Sequence, residues 1–262
     1  MLRKLIGLAA AAAVATGLAG PAQSAELQEI IDQGTVRIGV PIDVPPFGYM
    51  DAQNQPIGLD VDVARAIGEA LGVEVELQQI TSANRVPYLV TDRLDVVIAA
   101  MGATPERAQQ VAFSSPYSAL SIGVFGPAEI AVAAPGDLGD TSIAVARGTT
   151  QDIELTAAAP EANIKRFDDD ATAAAAYLSG QTELLATANV VAKELSEREP
   201  DTALEAKFIL RLSPTHVAVQ QGSPELLRWL DTFIFYNLMT GRLSAITETW
   251  LGQPLPDGFP SM

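Results

Sequence analysis

Residues 93–117 read RLDVVIAAMGATPERAQQVAFSSPY. From Asp95 to Ala100 the chain is almost continuously apolar, which reads as a strand covered on both faces, as in the middle of a parallel sheet. Thr104 then stands where an N-cap belongs and Pro105 at the first helical position, so a helix starts directly after the strand. Arg107 falls in the first turn of that helix, where the partial positive charge of the helix N-terminus disfavours a cation. A strand feeding a helix is the repeating unit of an α/β fold, and the misplaced arginine is the first candidate functional residue.

Upstream, Val36–Val40 reads as a strand entering the turn PIDVPPFGY. Asp60–Leu71 reads as a helix whose apolar face holds Val61, Ala64, Ile67, Ala70 and Leu71, with Gly72 at its stop. Val73, Val75 and Leu77 alternate with Glu74 and Glu76, the pattern of a half-buried strand. Downstream the pattern restarts. Ser142–Ala146 and Asn163–Phe167 read as strands, Gly148-Thr149-Thr150 as a helix start, the alanine-rich 171–178 as a helix, Leu184–Thr187 as a short strand, and Pro224–Leu251 as closing helices. Two β/α arrays joined by extended segments at Ser121–Phe125 and Thr215–Val219 imply two α/β lobes with a cleft between them.

Composition narrows the function. Arg3 and Lys4 precede an apolar run from Leu5 to Leu18 and a small-residue segment, the layout of a secretory signal peptide over residues 1–25; the bonds after Ser24 and Ala25 both suit cleavage. The chain has no cysteine, which excludes disulfides, thiolate nucleophiles and cysteine–zinc sites. One histidine and no metal-binding motif leave no metal site or cofactor to expect. The formal charge is −16, and removal of Arg3 and Lys4 makes it −18, a surface that repels nucleic acid and anionic lipid. A soluble periplasmic monomer is the expectation.

Four blocks in order, GTVRIGVPIDVPPFGYMD, PIGLDVDVARAIGEALGVEVEL, RLDVVIAAMGATPERAQQVAFSSPY and DLGDTSIAVARGTTQD, resemble the periplasmic solute-binding proteins of ABC transporters, polar amino-acid type, known as family 3. The resemblance runs from Gly34 to the ending Thr249-Trp250-Leu251-Gly252. It implies the two-lobed periplasmic-binding-protein fold of type II, each lobe a mostly parallel sheet flanked by helices, joined by a two-strand hinge. Residues 26–122 would form the first part of lobe one, 123–214 lobe two, and 215–262 the return to lobe one. Closure of the lobes would trap a small solute, and the closed form would dock on a membrane permease.

In the family, the arginine matching Arg107 binds the ligand's α-carboxylate. A guanidinium fork suits a carboxylate, and the backbone N–H groups at Gly148, Thr149 and Thr150 open a helix that would face the same anion. A surface ion pair of Arg107 with Glu106 or Asp95, and plain N-capping by Thr149 and Thr150, are the bland alternatives. Thr81-Ser82-Ala83-Asn84-Arg85 resembles the branch that binds acidic amino acids, where the matching Ser82 and Arg85 hold a side-chain carboxylate; Arg85 could equally pair with Asp92 or Asp95.

The pattern breaks at the ammonium. Family members hold it with a backbone carbonyl, here Ala100, a hydroxyl, whose position falls on Gly102, and an aspartate, whose position falls on Ala188. Asp43 and Asn189 are the nearest substitutes, although Asp43 also suits a turn cap before Pro45. The stacking ring's position is Val44, leaving Phe47 as a replacement or as core. His216 falls on the second crossing segment, where it either packs the hinge or touches ligand. A small carboxylate, amino acid or deaminated relative, is therefore the expected solute, and a membrane permease or a membrane receptor the expected partner. A cleft enzyme, a dehydratase or lyase, and a ligand-presenting sensor are the competing readings; Glu183 and Asp43 are the only acid–base candidates near the cleft, and their spacing forms no pair or triad.

Overall fold

The computed structural model describes residues 27–202, 204–252, 254–255 and 259; the expected leader lies outside them. The chain starts with α1 (Leu27–Gln33), β1 (Thr35–Val40), three short strands β2 (Asp43–Val44), β3 (Gly48–Met50) and β4 (Pro56–Ile57), and α2 (Leu59–Leu71). Next come β5 (Glu74–Gln79), α3 (Arg85–Val90), β6 (Val96–Gly102) and α4 (Pro105–Ala108). The long strand β7 (Val111–Gly126) leads into β8 (Ile143–Ala146), α5 (Thr150–Ala158), β9 (Ile164–Phe167), α6 (Asp170–Leu178), β10 (Leu184–Ala188) and α7 (Asn189–Arg198). A second long strand, β11 (Glu205–Gln220), returns to α8 (Pro224–Met239) and α9 (Arg242–Leu251). None of the helices in the described residues is long and apolar enough to cross a membrane.

The main sheet has the order β5-β1-β6-β11-β7-β10-β8-β9. β1 pairs in parallel with β5 and β6, and β8 in parallel with β9 and β10, so each end of the sheet is a parallel α/β array. Only β7 and β11 belong to both ends. They run antiparallel from Glu205↔Gly126 to Gln220↔Val111, while β6 meets only Thr215–Val219 of β11 and β10 only Ile122–Phe125 of β7. The two lobes thus share a two-stranded hinge. The crossing segments read from sequence are the parts of these strands nearest the change of partner; the strands themselves are 16 residues each.

Local rules explain the elements. Every residue of Val96–Gly102 except Ala100 is buried, as a central strand requires. Helix α2 buries Val61, Ala64 and Ile67 against the sheet and stops at Gly72, whose φ of 72° is left-handed and favours glycine. In β5 the exposed Glu74 and Glu76 alternate with the partly buried Val75 and Leu77, as suits an edge strand. In lobe two, β8 sends Ile143 and Val145 to one core and Ala144 and Ala146 to the other. The small alanines receive Ala173 and Ala176 of α6, so the alanine-rich helix serves close packing as well as helix propensity. Its N-terminus is thereby brought to the cleft. Each fully buried aliphatic side chain in these cores contributes about 1.5–3 kcal/mol.

Candidate functional site

The parallel strands of both lobes point their C-terminal ends at one crevice, the usual ligand position in open α/β sheets. Pro41 and Asp43 follow β1, Ser82 and Arg85 follow β5, Thr149 follows β8, Asp170 follows β9 and Ala188 ends β10; all line one cavity of about 50 Å³.

The structure is closed, and guanidiniums bridge the lobes. Arg107 is 6% exposed. Its Nη1 donates to the Gly102 carbonyl and, at 3.0 Å, to Thr150 Oγ1, and its Nη2 donates to the Gly148 carbonyl at 2.8 Å. Arg85 is 4% exposed and donates to the Ala99 carbonyl at 2.8 Å and to the Gly148 carbonyl at 3.2 Å. One carbonyl of lobe two therefore receives both arginines of lobe one. Gly148 has φ 74°, and a Cβ there would lie 3.3 Å from the Ala83 backbone across the cleft, so glycine suits both its conformation and the approach of the lobes. Thr104 caps α4, accepting from the Arg107 N–H at 3.3 Å, and Thr149 caps α5, accepting from the Asp152 N–H at 3.1 Å.

The alternatives for the arginines resolve. Asp95 and Asp92 are both taken by Arg37, at 2.6 and 3.0 Å, and no carboxylate of the described residues lies within ion-pair distance of Arg85 or Arg107. Burial, and then the nearby guanidiniums of Arg85 and Arg211, pull the Arg107 pKa down to about 9; burial chiefly brings Arg85 to about 10. Both remain cationic at neutral pH. Arg85 feels the opposing charges of Asp170 and Asp60 without pairing with either, whereas Arg107 is hydrogen-bonded only to neutral acceptors, and an anion is what would balance it.

The first-loop residues meet the same cavity. Phe47 is 1% exposed, belongs to the core and also forms part of the cavity wall, with Val44 beside it. Asp43 accepts from the Ala171 N–H at the start of α6, a contact from lobe one to lobe two; burial and then Asp169 raise its pKa. Ala100, also at the cavity, has φ 46°, and its N–H donates to Tyr117 Oη at 3.2 Å. The phenol in turn donates to the fully buried Asp60 at 2.6 Å, whose carboxyl is pushed up to about 7 by burial.

Three sequence expectations need correction. Asn189 does not face the cavity: its Oδ1 accepts from the Ser121 N–H at 3.0 Å and ties α7 to the hinge. Glu183 precedes β10 and accepts from Ser142 N–H at 2.9 Å, at the end of the strands away from the cleft, so it cannot work there with Asp43. The hydroxyl missing at Gly102 is supplied from elsewhere. A Cβ at Gly102 would lie 2.7 Å from Ser213 Oγ and 2.9 Å from Thr150 Oγ1, so two other hydroxyls occupy the space of that side chain. Ser213 also lines the cavity. His216 packs in the hinge, its Nδ1–H donating to the Ser114 carbonyl at 2.7 Å and its ring set edgewise on Phe113.

Residues 36–253 match the family model of bacterial extracellular solute-binding proteins, family 3. The chain belongs to this family. Among its relatives, the L-cystine-binding protein TcyJ of Escherichia coli K12 is 26% identical over 95% of this chain and 94% of its own. The solved structure of the solute receptor for L-cysteine of Neisseria gonorrhoeae is 32% identical, with a TM-score of 0.82 over 87% of this chain and 94% of that one. The cyclohexadienyl dehydratase of Pseudomonas aeruginosa is 29% identical over 44% of this chain and 43% of its own. Solute binding is thus the role of this family 3 protein, and the closed cleft is where its chemistry is concentrated.

Proposed function

We propose that this solute-binding protein captures a small carboxylate-bearing solute, an amino acid or a related organic acid, and delivers it from the periplasm to the membrane permease of an ABC importer. The observation that supports this reading is the pair of buried guanidiniums, Arg85 and Arg107, which donate only to neutral oxygens where the lobes meet; Arg85 lines the cavity, and Arg107 is held beside it on Thr150, a residue of the cavity wall. A solute carboxylate would take the place of Gly148 O and Thr150 Oγ1 on the Arg107 fork, with Thr150 presenting its N–H from the α5 N-terminus. Each charge-assisted hydrogen bond contributes about 1.5–3 kcal/mol, and three or four reach the ~8 kcal/mol of a micromolar site. Bonds to both lobes at once favour the closed form over the open one.

The dehydratase relative favours an enzymatic reading, but of the two candidate acid–base groups only Asp43 lines the cavity, while Glu183 is held at Ser142. A sensory role would use the same closed form and a receptor in place of the permease; cross-linking to the membrane partner separates the two. The binding claim is tested by calorimetry on unfolded and refolded protein with a panel of L-amino acids and their deaminated acids. Micromolar binding of a carboxylate that Arg107→Ala abolishes is the expected result. A panel without binding, or normal binding by the variant, would contradict it.

A further inference from the structure

Helix α8 carries two apolar faces where one is enough. Leu226, Leu230, Phe233 and Ile234 are buried in the core of lobe one, and Asp231 turns to the Ser115 N–H at 2.6 Å. The solvent side is a second stripe at helical spacing: Glu225, Arg228, Thr232, Phe235, Tyr236 and Met239. Its last three members are the most exposed large apolar side chains among the described residues, at 65%, 65% and 73%. Scattered apolar residues on a surface are ordinary, but three together on one helix face mark an interaction site. Beside them lies a hollow of about 250 Å³ walled by Ala70 of α2 with Trp229, Thr232, Tyr236 and Arg242. None of these residues lines the cleft cavity.

Charge and sequence constrain what can cover the stripe. The chain is acidic overall, so most approaches of a second copy are repelled. The stripe is an exception, because it holds no carboxylate from Arg228 to Met239. It also complements itself when read in the opposite direction. About a two-fold axis at Thr232, Arg228 falls opposite the partner's Tyr236, a cation–π pair. Trp229, at the edge of the hollow, falls opposite the partner's Phe235, an aromatic pair. Glu225 falls opposite the partner's Met239 at the rim, where its carboxylate stays in water. Each contact occurs twice, as an isologous interface requires, and no like charges meet.

We propose that the exposed face of α8 docks a second copy of this chain, stripe against stripe and antiparallel. The pair joins lobe one to lobe one and keeps both clefts outside the interface. One helix stripe covers less than the about 800 Å² per partner of a standard interface, so the dimer forms with rising concentration. This assembly replaces the monomer expected from composition, and it does not depend on which solute the cleft holds.

The test is sedimentation equilibrium of the purified chain up to about 100 µM, joined to directed cross-linking. Wild type should pass from the single to the double chain mass over that range. Phe235→Glu should raise the dimer Kd about tenfold or more, and Arg228→Ala, which introduces no new charge, severalfold. Both positions are exposed, so far-UV circular dichroism and melting temperature should stay at wild-type values. The absence of cysteine makes the orientation readable. Thr232→Cys should link to itself on oxidation. Met239→Cys should not, because its two copies lie about 21 Å apart along the helices, whereas a mixture of Glu225→Cys and Met239→Cys should link. A single-mass species at the highest concentration would overturn the proposal and leave the face to a different partner. A dimer that Phe235→Glu leaves intact, or efficient self-linking of Met239→Cys, would overturn it as well.

Discussion

Arg37 and Arg107 belong to the same lobe and are treated in opposite ways. Arg37 sits at the start of β1 and reaches Asp95 and Asp92, with Asp95 nearly buried beneath it; those carboxylates raise its pKa, hydrogen bonding to Asp95 being the main cause. Arg107 is more deeply buried, yet its three acceptors are two carbonyls and a hydroxyl, and its pKa is lowered. The first arginine is matched by its own chain and holds the fold. The second has no carboxylate partner and lies where the two lobes meet. A cation's partner, more than its burial, is what separates the two, and it is the basis for the proposed role of Arg107.

Substitutions can break this contrast, and the largest effect should come from Arg107→Ala. Carboxylate affinity should fall at least a hundredfold by calorimetry, about 2.7 kcal/mol, while unliganded stability changes by no more than about 1 kcal/mol. Arg37→Ala should do the reverse. It leaves Asp95 buried without its cation and should cost about 1–3 kcal/mol in urea unfolding, with affinity unchanged. Tyr117→Phe probes the buried network behind the cavity wall. It removes the hydroxyl joining Ala100 N–H to Asp60, and should cost about 1–2 kcal/mol with a severalfold loss of affinity through the Ala100 carbonyl edge.

The smallest effect is in pH dependence. Asp60 is raised from 3.8 to about 7 in the folded state, so the folded protein binds more protons than the unfolded chain between those values. Its contribution to stability is fully present below about 4 and is lost as pH rises through about 7. Urea midpoints across that window should fall more steeply for wild type than for Asp60→Asn. Equal slopes would mean that Asp60 stays ionised throughout.

Much of the frame was legible in the residues. The apolar run at 96–100, the Thr104-Pro105 start and the Gly72 stop each obey local rules that tertiary packing did not override. The small sheet of β2, β3 and β4 was not legible, because two- and three-residue strands among Pro45, Pro46 and Gly48 carry no periodicity. The crossing strands were read short because bulges and half-exposed positions such as Ile209 and Leu212 interrupt their pattern. Arg107, Arg85 and Thr150 were picked out by motif and chemistry together, and the structure brings the three to the meeting of the lobes.

Ser213 and Asp170 were missed for different reasons. Ser213 reaches Gly102 through antiparallel pairing of β11 with β6, two residues from the Thr215↔Gly102 pair and more than 100 positions away in the chain. Asp170 is one of three consecutive aspartates, 168–170, opening a helix, where an acidic run reads as capping. Only the placement of Asp169 on the cap frees its neighbour for the cleft. Asn189 follows the cavity-facing end of β10, but as the first residue of α7 its side chain turns to the Ser121 N–H instead, which its position in sequence does not show.

The most direct test of the central contrast is one thermal-shift experiment on refolded wild type, Arg107→Ala and Arg37→Ala, with and without the best carboxylate of the panel. At about 100 times Kd, ligand adds ~2.7 kcal/mol, a rise of several degrees. The account predicts that Arg37→Ala starts from a lower melting temperature and keeps the ligand-induced rise, while Arg107→Ala starts near wild type and loses it. An undiminished rise in Arg107→Ala would contradict the claim that this arginine awaits an anion.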